Sequence, residues 1–327
     1  MPAIAVSRSD RTRPLIDGRV RMGAQPWDFV DGPIETLFSR AFADAPYELT
    51  EISFSNQVAA LARGTARYRA LPIATSRSFR HSAIYVRADA GIDRPEDLRG
   101  RRVGLREFTN TASLAARGML EDEYGVRAAD IAWVVGDIDT VDRETMPLPD
   151  IPGLAIEPVV GRTLSELLLA GELDAIVAYH PPAIHGRDPR IRRLFVDYPA
   201  AERDYFARTG VFPVMHLLAV RDDAIETIGR DELLAVGRAF DAAKRLSYAE
   251  LLDQQALKVM LPWGPAAAQE AIDLMGADYW PYSLRRLRTT LETQLRWSHA
   301  QGIVPRQVGV DELVLTWPEL EDALDPS

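Results

Sequence analysis

The chain of 327 residues is long enough for two domains of about 150 residues, each with its own apolar core. Its composition, 47% apolar and 26% charged, excludes a disordered chain, a collagen and a simple coiled coil. The net charge of −10 opposes broad binding to nucleic acid or to an anionic membrane, although a local group of arginines could still bind a small anion.

The sequence contains no cysteine, which excludes disulfides, thiolate catalysis and zinc sites with sulfur ligands. Residues 1–10 lack a basic segment followed by a long apolar stretch, and no window reaches about 18 consecutive apolar residues. We therefore expect neither a signal peptide nor a transmembrane helix. The expectation is a cytoplasmic protein with no nucleic-acid or membrane partner, and a homo-oligomer is left open.

Short apolar runs alternate with amphipathic patterns over the first 220 residues, which is typical of α/β layers. In chain order, strands are predicted at residues 4–6, 47–54, 83–86, 102–105, 131–135, 175–178 and 214–220. Helices are predicted between them at about 33–43, at 56–63 and 111–124, and after a capping box at 163–166. Asp31 is the predicted cap of the first helix, and glycines end the later ones at positions 64, 125 and 171. The Pro- and Asp-rich residues 136–153 are predicted to form a surface loop.

The chain after the last predicted strand is nearly all helical, with helices at about 231–247, 249–259, 266–275 and 284–300. The last of these carries leucines on one stripe, at positions 284, 287, 291 and 295. Strands separated by helices predict a mixed, mostly parallel sheet in each of two lobes, followed by a helical C-terminal region. Ligands of such sheets bind at the carboxyl ends of the strands.

Two arginine-rich segments are candidates for binding a small anion. Arg11 and Arg13 follow the first strand and could bind a carboxylate bidentately, but they also fit a solvated basic loop. Residues 76–82 place Arg77, Arg80 and His81 among three serines, directly before a strand. This second segment could hold an anion and supply a proton, or it could be an exposed connection in which His81 bonds only backbone.

Residues 104–111 join a predicted strand to a predicted helix. Backbone N–H groups at the helix start, with the hydroxyls of Thr109 and Thr111, suit a carboxylate or a phosphate. The alternative is ordinary N-capping by one of these threonines. Neither a P-loop nor a dinucleotide fingerprint is present in this segment.

The five histidines show no HxH or HxxxH spacing of the kind that metal sites use. His180 flanks a Pro-rich loop, and His216 lies in an apolar strand, where a histidine is more often a core residue than a functional one. His299 ends a basic helix, and we expect it to be structural. A metal site formed by His81, Glu107 and His216 is not supported by their spacing.

Eight segments of the chain form a recognisable set. They are DRTRPLIDG at 10–18, FRHSAIYV at 79–86, DLRGRRVG at 97–104, GMLEDEYG at 118–125, TLSEL at 163–167, GELDA at 171–175, TGVFPVMH at 209–216 and LPW at 261–263. Together they resemble the 4,5-dihydroxyphthalate decarboxylase family, over residues 10 to 313. RTRPLIDG and FRHS are the more specific runs, whereas residues 19–33, 135–150 and 178–183 match loosely.

This resemblance implies a two-lobed fold like that of type II periplasmic binding proteins, used for catalysis. One lobe would be residues 1–82 and 221–327, the other would be residues 83–220, and a ligand cleft would lie between them. The implied activity is the loss of CO2 from 4,5-dihydroxyphthalate, a small aromatic dicarboxylate, to give protocatechuate. The chemistry requires no cofactor and no metal.

Our hypothesis for the reaction is that an acid protonates the ring carbon that bears the carboxylate, after which CO2 leaves. His81 or His216 is the candidate acid, and Glu107 would orient that histidine or accept the phenolic proton. The substrate-binding candidates are Arg11, Arg13, Arg77 and Arg80 for the carboxylates, Thr109 and Thr111 at the helix start, Ser55 and Asn56 for the ring hydroxyls, and His180. The alternatives are a non-catalytic solute-binding protein, a sensor of a small carboxylate, and an enzyme for another aromatic acid.

Overall fold

The structure, a computed structural model, describes residues 1–141, 148 and 150–325. Residues 142–147 and 149 of the predicted loop at 136–153 therefore lie outside the described residues. The chain forms two compact units. Unit 1 consists of Met1–Arg77, Val214–Leu291 and Gly309–Ser327, and unit 2 consists of Ser78–Pro213 and Glu292–Val308.

The elements alternate along the chain as expected for an α/β protein. The strands are β1 (Ala3–Ala5), β2 (Asp28–Val30), β3 (Leu49–Ser53), β4 (Tyr68–Ala70), β5 (Ser76–Arg77), β6 (Ile84–Arg87), β7 (Arg102–Leu105), β8 (Ala132–Val135), β9 (Ile156–Pro158), β10 (Ala175–Val177), β11 (Ile191–Arg193) and β12 (Val214–Arg221). The α-helices are α1 (Arg13–Ile16), α2 (Ile34–Ala43), α3 (Phe54–Arg63), α4 (Thr111–Tyr124), α5 (Leu164–Ala170), α6 (Tyr198–Thr209), α7 (Ile225–Ile228), α8 (Arg230–Leu252), α9 (Gly264–Met275), α10 (Leu284–Ala300), α11 (Val310–Leu313) and α12 (Pro318–Leu324).

The sheet of unit 1 has the strand order β2-β1-β3-β12-β4, with β5 also paired to β12. β1 is parallel to β2 and to β3, whereas β12 is antiparallel to β3, β4 and β5. This sheet is therefore mixed with more antiparallel than parallel pairs, which differs from the prediction of mostly parallel pairing. The reason is that β12, which follows unit 2 in the chain, runs antiparallel to its neighbours. It pairs with β3 on one edge and with β4 and β5 on the other.

The sheet of unit 2 has the order β11-β6-β10-β7-β8-β9. Its pairs β10–β7, β7–β8 and β8–β9 are parallel, and the two pairs that involve β6 are antiparallel. The predicted mostly parallel sheet is confirmed here. Its apolar face packs on α5, where Leu164 and Leu168 join Val134 and Ile176 in one buried cluster.

The core of unit 1 lies between its sheet and the C-terminal helices. Ile4, Leu49 and Leu218 come from three neighbouring strands, and they form one cluster with Leu233 and Phe240 of α8. The leucine stripe predicted for 284–300 is confirmed, because all four leucines of α10 are buried. The helix predicted at 231–247 is confirmed as part of α8, which runs unbroken from Arg230 to Leu252. The separate helix predicted at 249–259 is wrong, because its first residues continue α8 and residues 253–263 are not helical.

The local signals at helix ends have mixed outcomes. Gly64, Gly125 and Gly171 have φ values of 69°, 62° and 76° just past α3, α4 and α5, as predicted. The capping box before α5 also forms, with Thr163 and Glu166 bonding each other's backbone N–H. Asp31 does not cap α2, which begins after Pro33; its carboxylate instead accepts a hydrogen bond from Arg8.

Several elements have weak sequence signals and were not predicted, among them β2, β4, β9, β11 and α6. The unit boundaries also differ from the predicted lobes at 82/83 and 220/221. Residues 78–82 belong to unit 2, and β12 belongs to unit 1 because it pairs with β3. Glu292–Val308 belongs to unit 2, although the prediction placed it with the C-terminal helices. No described helix is both long and apolar enough to cross a lipid bilayer.

A substitution at a glycine of α4 tests the packing of unit 2. A β-carbon at Gly118 would overlap the indole of Trp297, which is 1% exposed and bonded to Asp122. We expect Gly118→Ala to lower the free energy of unfolding by about 1–3 kcal/mol, because the added methyl group would overpack the core. Chemical denaturation measures this change. Gly309→Ala is the control, since Gly309 has an ordinary φ of −79° and a β-carbon added there would have no atom within 4 Å. Equal stability of the two variants would contradict this packing.

Candidate active site

A buried carboxylate occupies the centre of the unit 1 sheet. Glu51 lies in β3, where every residue is buried, and its side chain is 0% exposed. Ser7, two residues past the end of β1, donates to the same carboxylate oxygen from its backbone N–H (2.9 Å) and from its hydroxyl (2.6 Å). Because β1 and β3 are parallel neighbours, the carboxyl end of β1 brings Ser7 to Glu51.

The other oxygen of this carboxylate is bonded to His216. The antiparallel register pairs His216 with Ser53 and Leu218 with Glu51, so Glu51 and His216 are diagonal neighbours on one face. Their Oε1 and Nδ1 atoms are 2.7 Å apart. His216 is 22% exposed at its side chain, and the edge of Phe38 packs on its ring at 4.8 Å. A carboxylate bonded at Nδ1 holds the proton on that nitrogen and leaves Nε2 for proton transfer.

The hydrogen bonds outweigh burial at Glu51. Burial raises the pKa of its carboxyl, but the hydrogen bond and positive charge of His216, together with both donors of Ser7, lower it below its ordinary value. Glu51 is therefore a carboxylate at neutral pH, and it fixes the orientation of the His216 ring through Nδ1. The predicted candidate for this orienting role, or for accepting the phenolic proton, was Glu107, and Glu51 was not predicted. The only available signal was an acidic residue within an apolar strand.

Arg11 lies beside the same sheet, in the loop that follows β1. Its Nη2 donates to the Thr75 carbonyl at 3.1 Å, its Nη1 bonds Asp10, and its guanidinium lies 4.2 Å from the centre of the Trp280 ring. Thr75 directly precedes β5, in which Ser76 pairs with His216. The structure thus brings Arg11 and His216 to one region of unit 1.

Arg77 and Lys244 add positive charge to unit 1. Arg77 is 8% exposed, and burial lowers its pKa to about 9, although the charges of Tyr248 and Asp278 act in the opposite direction. Lys244 is 1% exposed and forms ion pairs with Asp278 at 2.7 Å and with Asp241 at 3.2 Å. Arg77 was predicted from its arginine-rich segment, whereas Lys244 was not, because a lysine in a helix carries no signal of its own.

The remaining candidates in unit 1 are Ser55, Asn56 and Arg13. Ser55 and Asn56 lie in the first turn of α3, immediately after Ser53, which pairs with His216. Ser55 is 1% exposed, and Asn56 is half-buried. Arg13 is exposed at the first residue of α1, where its backbone N–H donates to the Ser9 carbonyl and its carbonyl accepts from the backbone N–H of Asp17. Among the described contacts, Arg13 does not share those that Arg11 makes with Thr75 and Trp280.

His81, in unit 2, has a different environment from His216. It is 1% exposed, and its ring packs on Phe195 at 5.0 Å and on Tyr205 at 5.3 Å. Neither ring nitrogen has a hydrogen-bond partner among the described residues. Burial, with a smaller effect from the charge of Arg208, lowers the pKa of His81 to about 4. His81 is therefore neutral at pH 7, and the backbone hydrogen bond considered for it is not formed.

The start of α4 is capped by a residue that the sequence analysis did not name. Asn110 accepts from the backbone N–H of Ser113 at 2.7 Å, so neither Thr109 nor Thr111 is the cap. Thr109 instead donates to Glu107 at 3.2 Å, and Thr111 is buried as the first residue of the helix. Burial raises the pKa of Glu107.

Arg80 and His180 are the other two candidates in unit 2. Burial lowers the pKa of Arg80 to about 10, against the opposing charge of Glu202. His180 lines a pocket of about 190 Å³ inside unit 2, together with Arg106 and Tyr179, whose side chains are 3.3 Å apart. No group of three or more His, Asp or Glu side chains in the described ranges is arranged to hold a metal ion.

Comparison with curated proteins identifies the family. The chain is 38% identical to a 4,5-dihydroxyphthalate decarboxylase of Comamonas testosteroni over 319 residues, which cover 95% of each chain. It belongs to the 4,5-dihydroxyphthalate decarboxylase family. It is also 36% identical to a 4,5-dihydroxyphthalate decarboxylase of Pseudomonas putida over 208 residues, which cover 62% of this chain and 80% of the relative. The predicted family is confirmed.

The fold of this decarboxylase family member is shared with binding proteins. Residues 47–143 match the family of periplasmic substrate-binding proteins of phosphonate ABC transporters. Similar solved structures include the periplasmic aliphatic sulphonate binding protein SsuA of Escherichia coli (TM-score 0.55, 14% identity, 99% and 98% coverage) and the desulfurization enzyme DSZB (TM-score 0.57, 14% identity, 99% and 98% coverage). These likenesses confirm the predicted periplasmic-binding-protein-like fold.

The Glu51 carboxylate makes stability depend on pH. Its folded-state pKa is lowered, so its contribution is present above the unfolded-state value of about 4.3 and is lost as the pH falls through the folded-state value. We expect Glu51→Gln to lower the free energy of unfolding by about 1.5–3 kcal/mol at pH 7, the range for hydrogen bonds to a charged group. The difference from wild type should shrink in acid.

Chemical denaturation at several pH values measures this dependence. Glu319→Gln, an exposed carboxylate in α12, is the matched control and should show little change at any pH. A Glu51→Gln effect that is equal in acid and at neutral pH would contradict the charged state of Glu51.

Proposed function

We propose that this chain is a decarboxylase that converts 4,5-dihydroxyphthalate into protocatechuate and CO2. The observation that carries the proposal is its 38% identity to a curated enzyme of that name over 95% of both chains. The Glu51–His216 pair supports it independently, because an oriented imidazole is the kind of group that can protonate carbon. No cofactor takes part in the proposed reaction.

The electron flow follows from the substrate. The hydroxyl para to the departing carboxylate pushes electron density into the ring, and the ring carbon that bears the carboxylate takes up a proton. The bond from this carbon to the carboxylate then breaks, its electron pair restores the aromatic ring, and CO2 leaves. One proton is consumed at carbon for each CO2 released.

His216 is the acid in this scheme. Its Nδ1 is bonded to the Glu51 carboxylate, which leaves Nε2 for the proton transfer, and its side chain is partly exposed, as a proton donor must be. His81 is less suited, since its pKa of about 4 keeps it neutral at pH 7 and aromatic rings enclose it. The proposal therefore selects one of the two histidines that the sequence analysis left open.

Substrate binding in unit 1 is assigned to groups close to His216. Arg11 and Arg77 supply positive charge for carboxylates, and Ser55 and Asn56 supply hydrogen bonds for ring hydroxyls. In unit 2, we retain Glu107 as a candidate base for the phenolic proton. The other candidates there remain Arg80, Thr109, Thr111 and His180.

A non-catalytic binding protein is the second candidate function. It is favoured by the match of residues 47–143 to a periplasmic substrate-binding family and by the similarity to SsuA. Fold similarity alone does not determine activity, because one scaffold serves unrelated functions. The two candidates make opposite predictions about turnover.

The purified chain, treated with a chelator, should release CO2 and protocatechuate from 4,5-dihydroxyphthalate. Both products can be followed by chromatography and by trapping of CO2. Tight binding without turnover would favour the binding protein. Activity that is lost with the chelator and restored by a divalent metal would contradict a cofactor-free reaction.

The acid assignment is tested by His216→Gln, which keeps a hydrogen-bonding side chain beside Glu51. We expect kcat to fall about 10²–10⁴-fold, the usual contribution of a positioned acid, with a smaller change in KM. His299→Ala, at the exposed end of α10, is the control and should retain kcat. His81→Leu preserves apolar packing and should also retain kcat. Full activity of His216→Gln, or loss confined to His81→Leu, would overturn the assignment.

A further inference from the structure

Three buried polar atoms near Arg11 have no hydrogen-bond partner among the described residues. They are Nε of Arg11 itself, Oγ1 of Thr75 and Oη of Tyr282. Thr75 is 3% exposed and Tyr282 is 1% exposed. Buried donors are normally paired, and leaving one unpaired is costly. Unpaired atoms on Arg11 and on two residues of neighbouring segments therefore point to a ligand that supplies the missing acceptors.

Short contacts connect the residues that carry these atoms. Arg11 donates to the carbonyl of Thr75 and stacks on Trp280, whose indole N–H donates to the carbonyl of Ala74 at 2.8 Å. The backbone N–H of Ser283 donates to the carbonyl of Pro72 at 2.9 Å. The chain segments 72–75 and 280–283 are therefore adjacent, and Arg11 contacts both.

Buried charges hold the Tyr282 ring in position. Nζ of Lys244 lies 4.6 Å from the centre of this ring, and Lys244 is itself fixed by ion pairs to Asp241 and Asp278. Burial raises the pKa of Tyr282, while the charge of Arg11 acts to lower it. The phenol therefore keeps its proton at neutral pH and can only donate toward an anion. Arg11, Thr75 and Tyr282 together offer three donors.

The chemistry of decarboxylation distinguishes the two carboxylates of the proposed substrate. The departing carboxylate must give up its negative charge to become CO2, so donors that hold it would stabilise the ground state more than the transition state. The other carboxylate stays charged throughout, so binding it tightly does not slow the reaction. Thr75 is one residue from Ser76, which pairs with His216, and Arg11 donates to the Thr75 carbonyl, so this part of unit 1 adjoins the strand of the proposed acid.

We infer that Thr75, Tyr282 and Arg11 bind the carboxylate that the substrate retains and that the product still carries. This inference rests on the proposed function and names a part of its site. The hydroxyls of Thr75 and Tyr282 recognise the anion, and Arg11 neutralises it. His216 then acts at the neighbouring ring carbon.

Calorimetric titration with protocatechuate and with catechol tests the inference without requiring turnover. Protocatechuate carries the retained carboxylate and both hydroxyls, whereas catechol carries only the hydroxyls. In Thr75→Val and in Tyr282→Phe, the Kd for protocatechuate should rise about 10- to 100-fold, since each loses one bond to a charged acceptor. Catechol binding should not change. The melting temperature should not fall, because neither hydroxyl has a partner within the described chain.

Tyr47→Phe is the matched control. Its hydroxyl is also buried and without a partner in the described ranges, but Tyr47 precedes β3 and packs with Ala5 and Leu37, away from Arg11. It should leave protocatechuate binding unchanged. The inference is overturned if the wild-type chain does not bind protocatechuate, if both hydroxyl variants bind it normally, or if catechol binding weakens equally. A dependence on both hydroxyls without turnover of 4,5-dihydroxyphthalate would support the carboxylate site and reject the proposed decarboxylase.

Discussion

A fully buried carboxylate at Glu51 is the constraint on which the unit 1 site depends. Burying a charged group is costly unless charge-assisted hydrogen bonds replace water. Glu51 receives two such bonds from Ser7 and one from His216. Ser7 can reach it only because β1 lies beside β3, and His216 only because β12 lies on the other side of β3. The order of these three strands and the orientation of His216 are therefore parts of the same arrangement.

Local patterns in the sequence predicted much of the secondary structure. Glycines with positive φ end α3, α4 and α5 as expected, because only a residue without a side chain adopts that conformation easily. The leucine stripe of α10 is also local, since its members recur at helical spacing. By contrast, β2, β9 and β11 are strands of three residues each, too short for an alternating pattern to stand out.

The site was harder to predict, because its key contact joins residues 165 positions apart. Glu51 sits in a strand whose apolar neighbours predict burial, and nothing in that pattern indicates that β12 will bring a histidine beside it. Glu107, two residues before Thr109, was a candidate for orienting the histidine because it lies just before a predicted helix. Its carboxyl is instead bonded by that threonine. His81 belonged to a motif with two arginines, yet aromatic residues distant in sequence enclose it.

The similarity to both SsuA and DSZB shows that this fold occurs in a binding protein and in an enzyme. A scaffold that encloses a small anion needs only cations and hydrogen-bond donors. Bond cleavage adds a further requirement, a group that delivers a proton to one atom. In the proposed site these two requirements fall on different residues of unit 1, with the guanidinium of Arg11 at the Thr75 carbonyl just before β5 and the Glu51–His216 pair on the strands β3 and β12.

The discontinuity of unit 1 has a consequence for biosynthesis. β3 emerges early from the ribosome, but β12, the strand that covers one of its edges, is not made until the chain has grown past residue 214. Until then His216 cannot bond Glu51, and the backbone groups on that edge of β3 are unpaired. The intervening segment of unit 2 can reach its own parallel strand pairs earlier. The Glu51–His216 contact consequently forms late in the synthesis of each molecule.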